Sequence, residues 1–336
     1  MNVLITGAAG YVGSVCAEVM LARGHKVIAL DSLVEGHRAA VPPECDFHQF
    51  DLMDSVKLDQ LFRASKIEAV MHFAAQSLVE KSVREPSEFF RVNVAGGIIL
   101  LDAMVRNNLS RFVFSSSAAV YGEPEQTPID EDCPKSPINP YGQTKLVFEN
   151  ILADYARYAG IKHVSLRYFN AAGASRDRGE AHRTETHLIP VVLEAAAGQR
   201  EHFEIRGGDY ATPDGTCVRD FVHVLDIAEA HVLALEMLDR VSGEAFNVGN
   251  SRGHSVREVL ETSRRVTGRP IPAKTAPRRP GDPSTLVASG EKIRRMLGWS
   301  PRFSTMESII QSAWDWKQRD PLGYAQKPGL VGGTGR

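Results

Sequence analysis

Tyr141-Gly142-Gln143-Thr144-Lys145 sets a phenol and an ammonium four residues apart, a spacing that puts both on one face of a helix. The ammonium favours the ionised phenol over the neutral one, so the pair can take a proton from an alcohol. Free tyrosine ionises near ~10, and each pKa unit is worth about 1.4 kcal/mol. Working near neutrality asks for roughly 4 kcal/mol, about what one positive charge at ~4 Å supplies at an effective dielectric of about 20. The spacing alone arises by chance in many helices, and Tyr141 could equally be a helix-start tyrosine packed on a core. Its meaning depends on what surrounds it.

A redox partner is encoded at the start of the chain. Gly7-Ala8-Ala9-Gly10-Tyr11-Val12-Gly13 follows an apolar run over 2–6 and opens an amphipathic stretch. In that strand–turn–helix setting Gly7 permits the tight turn, Gly10 lets the backbone approach a pyrophosphate, and Gly13 lets helix and strand pack closely. The helix N-terminus then faces the anion. Asp31 closes the second apolar run, where a carboxylate accepts from a ribose 2′-hydroxyl and repels a 2′-phosphate. The expected ligand is therefore NAD rather than NADP. Arg38 is the one nearby residue that would suit the phosphate, unless it is simply a solvated arginine. Asp51-Leu52 at the third run brackets an adenine, and Phe73-Ala74-Ala75 at the fourth leaves room for the dinucleotide, although the alanines also fit mere close packing. Ser117 ends the run Ser115-Ser116-Ser117, so its hydroxyl is expected at the carboxyl edge of the sheet. A Ser117–Tyr141–Lys145 unit follows. Tyr141 is the base, Ser117 holds the substrate hydroxyl, and Lys145 holds the cofactor ribose and lowers the tyrosine pKa.

These residues need a scaffold, and the hydrophobic pattern describes one. Apolar runs over 2–6, 26–30, 47–50, 69–73 and 111–115 are rich in Val, Ile and Phe and read as buried parallel strands. Helical patterns over 11–23, 56–64 and 88–107 lie between them, and a helix over 141–158 precedes a strand over 163–168. The fold class is α/β, a Rossmann-type doubly wound parallel sheet with a smaller mixed C-terminal lobe. The expected division is 1–170 for the dinucleotide domain, 171–320 for the ligand lobe and 321–336 for a flexible Gly/Pro-rich tail. A helix over 223–239 is expected to pack back on the larger domain.

Bulk properties narrow the function. The 336 residues are 43% hydrophobic and 24% charged, with a net charge of -2, and no basic run long enough for a nucleic-acid backbone occurs. No apolar run reaches the ~18 residues of a membrane span, and no signal peptide precedes the first strand, so a cytoplasmic enzyme is expected. Cys16, Cys45, Cys133 and Cys217 have no metal-ligand spacing and read as reduced thiols; no metal is expected.

More specific strings are Leu166–Ala174 (LRYFNAAGA), Asp209–Val224 (DYATPDGTCVRDFVHV) and Ala276–Asp282 (APRRPGD). With the glycine loop and the Tyr–Lys pair, they make the chain resemble the extended short-chain dehydrogenase/reductase superfamily, and within it the UDP-glucose 4-epimerase family, from Met1 to about Tyr324. The resemblance implies that Tyr11, Val12, Asp31, Asp51, Leu52, Phe73, Ala74, Ser77, Asn93 and Phe169 line the NAD site. It implies that Asn170, Leu188, Arg219, Arg279, Asp282 and Leu286 face a UDP-sugar, with the two arginines suited to a diphosphate. Arg219 also fits a salt bridge within the small lobe. Ser77 stands where some relatives carry a lysine, and Thr186-His187 where an Asn-Asn pair is frequent. Leu286 stands where a tyrosine or a small residue controls the space beside the sugar C2.

The implied activity is reversible C4 epimerisation of UDP-glucose and UDP-galactose through a 4-keto sugar. The alternatives are 4-epimerisation of a UDP-N-acetylhexosamine, UDP-pentose or UDP-uronate, a 4,6-dehydratase, and a non-catalytic NAD-binding protein. A dehydratase needs an acid and a base beside the catalytic hydroxyl, and Ala118-Ala119 supply neither. A non-catalytic binder has no need of Tyr141 and Lys145 together. In the family the helices over 88–107 and 141–158 form a dimer bundle, so a homodimer is expected.

Overall fold

The computed structural model describes residues 1–278 and 282–324. Its first six strands are β1 (Asn2–Thr6), β2 (Lys26–Asp31), β3 (Asp46–Gln49), β4 (Ala69–His72), β5 (Arg111–Ser117) and β6 (Lys162–Tyr168). They are followed by β7 (Asn170–Ala172), β8 (Phe203–Arg206), β9 (Val218–His223), β10 (Ala245–Val248), β11 (Gly253–Ser255), β12 (Ala273–Ala276) and β13 (Thr285–Leu286). Seven strands form one sheet in the order β10-β6-β5-β4-β1-β2-β3, every pairing parallel. This is the doubly wound Rossmann arrangement, with its strand order reversing beside β1.

Alternation along the strands explains why both faces are covered. In β1, Val3 and Ile5 enter a core with Val15, Met20, Ile227 and Leu235, whereas Leu4 enters another with Leu58, Leu100, Phe112 and Phe148. The first core lies under the helices Tyr11–Ala22 and Val224–Glu236, the second under Ser55–Ala64, Gly96–Arg106 and Pro140–Ala159. The helix Val224–Glu236 packs on Tyr11–Ala22, and β10 pairs with β6, so the chain returns to the large sheet after entering the smaller lobe.

The smaller lobe has its own apolar core, which includes Ile189, Leu193, Phe221, Leu260, Ile310 and Trp314. There β9 pairs with β11, β13 and β7, and β8 pairs with β12.

Two boundaries move relative to the sequence pattern. β5 runs on to Ser117, so the serine is the strand's last residue. The stretch expected as one helix over 88–107 is three pieces: Pro86–Phe90, a π-helical turn over Arg91–Ala95, and Gly96–Arg106. The π turn turns Asn93 inward, where its side-chain oxygen accepts from Gln76 N at 2.8 Å and its amide donates to Gln76 O and Thr144 Oγ1, each at 3.0 Å.

Candidate active site

The glycine loop is wound too tightly for side chains. Gly7 has φ 73°, and a Cβ there would lie 2.5 Å from Ala74 N; a Cβ on Gly13 would lie 2.2 Å from Gly7 O. Gly10 caps the helix Tyr11–Ala22 with extended backbone and no side-chain hydrogen bond, leaving the helix start open to an anion. Asp31 ends β2, and its two oxygens accept from Ala9 N at 2.9 Å and Leu33 N at 2.8 Å. Burial raises its pKa, and these two bonds act against that rise. Each oxygen keeps a further lone pair for a hydroxyl. Arg38 lies over the Phe47 ring at 4.4 Å, which accounts for it without a phosphate. A cradle open at a helix N-terminus, with a carboxylate closing the next strand, fits NAD.

The candidate catalytic residues Ser117, Tyr141 and Lys145 are brought together by the start of the helix Pro140–Ala159. Asn139 caps it, accepting from Gly142 N at 2.9 Å, and Pro140 takes the first position, where no amide is missed. A Cβ on Gly142 would lie 2.4 Å from Ala119 O, so glycine there admits the 3-10 turn Ala118–Tyr121 against the helix. That approach sets Ser117 beside Tyr141. Burial pushes the Tyr141 phenol above its ordinary pKa, and the Ser117 hydroxyl brings it part of the way back.

Lys145 is buried, its ammonium 5.8 Å from the Tyr141 ring centre, and it donates to Ser115 O at 2.7 Å. Desolvation brings its pKa down to about 7, against the opposing pull of Glu149. The sequence led to an expectation that Lys145 depresses the phenol. In the structure burial raises the phenol, and the group that pulls it back is the Ser117 hydroxyl rather than Lys145.

The glycine loop and the Ser117–Tyr141–Lys145 group face a cleft of about 990 Å³ between the large sheet and the smaller lobe. Gly7, Gly10, Tyr11, Val12 and Gly13 line one end, with Phe73, Ala75 and Ser77 beside them. Ser117, Tyr141, Lys145 and Phe169 also line the cleft, as do Asn170, Leu188, Arg219, Asp282 and Leu286. Asp31, Asp51, Leu52, Ala74 and Asn93 are not part of this lining. Asn93 is buried and spends its amide on the loop at Gln76 and on Thr144. Asp51 is exposed and accepts from Met53 N at 2.9 Å, two residues beyond the end of β3. Arg219 is ion-paired with Asp282, so the salt-bridge reading and the cleft position hold together. Asn170 donates to Asp220 O at 2.8 Å. Arg279 lies outside the described residues.

The sequence reading passed over a buried polar layer behind the site. Arg167 donates to Glu149 at 2.6 Å and to the Tyr121 hydroxyl at 2.9 Å, and Tyr121 in turn donates to Asn247 at 2.7 Å. Ser116 Oγ also donates to Glu149, at 2.5 Å. The one available signal was Glu149 itself, four residues beyond Lys145 on the same helix face. Asp220 was also missed; its buried carboxylate accepts from Asn250 N, Ser251 N and Ala288 N at 2.8, 2.9 and 3.1 Å and pins β9 to two loops.

A dinucleotide cradle and a Ser–Tyr–Lys group opening into one cleft that Arg219 also lines define an NAD-dependent enzyme of the short-chain dehydrogenase/reductase class. The family model of the NAD dependent epimerase/dehydratase family matches residues 3–249, and the chain belongs to that family. The chain is 48% identical over 332 residues to the UDP-glucose 4-epimerase of Lacticaseibacillus casei, covering 97% of this chain and 100% of that one. The structure of UDP-glucose 4-epimerase from Brucella ovis in complex with NAD is similar at a TM-score of 0.90 and 44% identity, covering 94% of this chain and 97% of that one. The Bifidobacterium longum UDP-glucose 4-epimerase in complex with NAD+ and UDP is similar at a TM-score of 0.91 and 34% identity, covering 96% and 100%.

Proposed function

We propose that the protein is a UDP-glucose 4-epimerase that interconverts UDP-glucose and UDP-galactose with NAD held throughout the cycle. The observation that carries this reading is the Ser117–Tyr141–Lys145 group between the glycine cradle and Arg219 in one cleft, with Ala118 and Ala119 where a dehydratase needs acids.

Bound NAD supplies the acceptor of the C4 hydride and, on the return, its donor. The chain's own residues do the rest. Tyr141 takes the proton of the sugar 4-hydroxyl while Ser117 holds that oxygen. Lys145 keeps the phenolate stabilised. Arg219 holds the diphosphate while the flattened 4-keto sugar turns over, and Tyr141 returns the proton on the opposite face. The turn requires a firm hold on the nucleotide and a loose one on the sugar. In support, apolar Phe169 and Leu286 line the cleft together with Arg219 and pack on a small core with Val120 and Tyr121. Formation of UDP-glucose from UDP-galactose without added NAD tests the reading; a folded, NAD-loaded protein with no turnover rejects it. A panel of acetylated and plain UDP-sugars then fixes the preference beside Leu286.

The proposal extends to the setting. No described helix is long and apolar enough to cross a membrane, and all four cysteines are free and buried, which suits a reducing cytoplasm. Phe90, Val105 and Tyr158 stand exposed on the helices over 86–106 and 140–159, supporting a homodimer through that face. Light scattering at twice the chain mass is the expected outcome.

A further inference from the structure

Glu180, His182, Glu185 and His187 come from one loop of the chain, immediately before the helix Leu188–Ala196, and their donor atoms all lie within 4.8 Å of one another. His187 Nδ1 is 2.9 Å from Glu180 Oε1 and 2.8 Å from Glu185 Oε1, and His182 Nδ1 is 3.2 Å from Glu180 Oε1 and 3.7 Å from Glu185 Oε2. A tetrahedron with ~2.1 Å bonds to nitrogen and oxygen has edges of roughly 3.4 Å; the separations of both histidines from Glu180 Oε1, 2.9 and 3.2 Å, come near that length, and each histidine is near one of the two Glu185 oxygens. The two carboxylates are 7% exposed, and Nδ1 of His182 is buried and without a hydrogen bond while facing them. All four residues line the main cleft, which gives an ion a way in.

We propose that Glu180, His182, Glu185 and His187 form a binding site for one divalent transition-metal ion, Zn2+ in the first place. Two imidazoles and two carboxylates are borderline donors that suit zinc better than the hard cations Mg2+ or Ca2+, which take oxygen throughout. The surroundings orient the ligands: Glu185 Oε1 accepts from Thr186 N and His187 N, each at 2.8 Å, so the carboxylate is set before any ion arrives. Four protein donors complete a tetrahedral shell and leave no open position, which makes the ion structural. It ties down the loop that delivers Leu188 to the nucleotide wall. Cysteine spacing spoke against a thiolate site; these nitrogen and oxygen donors lie outside that test and depart from the expectation of no metal. The rival is a loop held only by imidazole–carboxylate ion pairs with no affinity for metal.

The test uses the full-length, NAD-loaded protein, dialysed against a chelator and titrated with ZnCl2 by calorimetry, with bound zinc counted by elemental analysis. About one zinc per chain and a rise in thermal midpoint are expected. Co2+ in its place should give the intense visible absorption of a four-coordinate site. Wild-type protein that binds no zinc under these conditions overturns the proposal before any variant is made. In His182→Gln and Glu180→Gln, stoichiometric binding should fall by at least about tenfold in affinity, with bound NAD and a cooperative thermal transition as the check on folding. Zinc bound equally well by folded variants overturns it too. The readout is metal content, so it stands or falls separately from epimerase turnover.

Discussion

At the scale of single residues the site sets two buried groups in opposition. The Tyr141 phenol lies above its ordinary pKa and the Lys145 ammonium is brought down to about 7, each by desolvation. Burial disfavours the charged form of each, with the Ser117 hydroxyl opposing it at the phenol and Glu149 opposing it at the ammonium. Tyr141→Phe removes the proton acceptor and keeps the ring, so turnover of UDP-galactose should fall about 10²–10⁴-fold with NAD absorbance retained. Lys145→Met leaves a phenol whose pKa burial has raised, so at neutral pH it is protonated and inactive. The sign follows directly: each unit of pH toward that raised value increases the phenolate fraction. The variant's rate should climb roughly tenfold per pH unit from about 7 to 9 and lie below the parent's at neutral pH. A pH–rate profile of the two proteins measures it. That the two residues share one helix and one cleft was legible from four-residue spacing. The dominance of burial was not, because desolvation depends on neighbours such as Phe114, whose ring lies 4.9 Å from Lys145 Nζ, 31 positions away in the chain.

At the scale of elements, the helix Pro140–Ala159 carries the chemistry on one face and a hidden ion pair further along it. The Glu149 and Arg167 side chains are 9% and 5% exposed, and their contact at 2.6 Å binds this helix to β6. A charge so buried is costly without its partner. Glu149→Ala should therefore lower stability in urea unfolding by about 3–5 kcal/mol, and adding Arg167→Met should recover a large part by removing the orphaned guanidinium. Equal loss in the single and double variants would show that the pair's other contacts, to Tyr121 and Ser116, dominate. Strands β1, β2 and β4 were readable from their apolar runs because burial on both faces leaves an unbroken Val/Ile pattern. The π turn at Arg91–Ala95 was not. Its extra residue is stabilised by Asn93 reaching the Gln76 backbone and Thr144, contacts that no periodicity within the segment encodes. β10 escaped for a related reason: four residues, Ala245–Val248, carry too little pattern to announce a seventh strand.

For the whole molecule, the proposed reading has the cleft join a sheet edge for the redox chemistry to a lobe for the nucleotide. The division of labour has a kinetic signature. Arg219 is half-buried in the cleft wall, donating to Asp282 and to Val218 O at 2.9 Å, and so is aimed before substrate arrives. Preorganised guanidinium donors act alike on the ground state and the transition state of a reaction that happens at the far end of the ligand. They therefore set binding and leave the chemical step nearly untouched. A hydrogen bond to a charged group is worth about 1.5–3 kcal/mol, so Arg219→Leu should raise KM for UDP-galactose and the inhibition constant for UDP together, by roughly 10–100-fold. Its kcat should stay within a few-fold, since in the proposed reading the proton transfer belongs to the tyrosine, serine and lysine. Steady-state kinetics with UDP as competitor separates the outcomes. A matched loss in kcat at unchanged KM would mean that Arg219 acts on the turning sugar, and the nucleotide hold would then have to come from other groups of the small lobe.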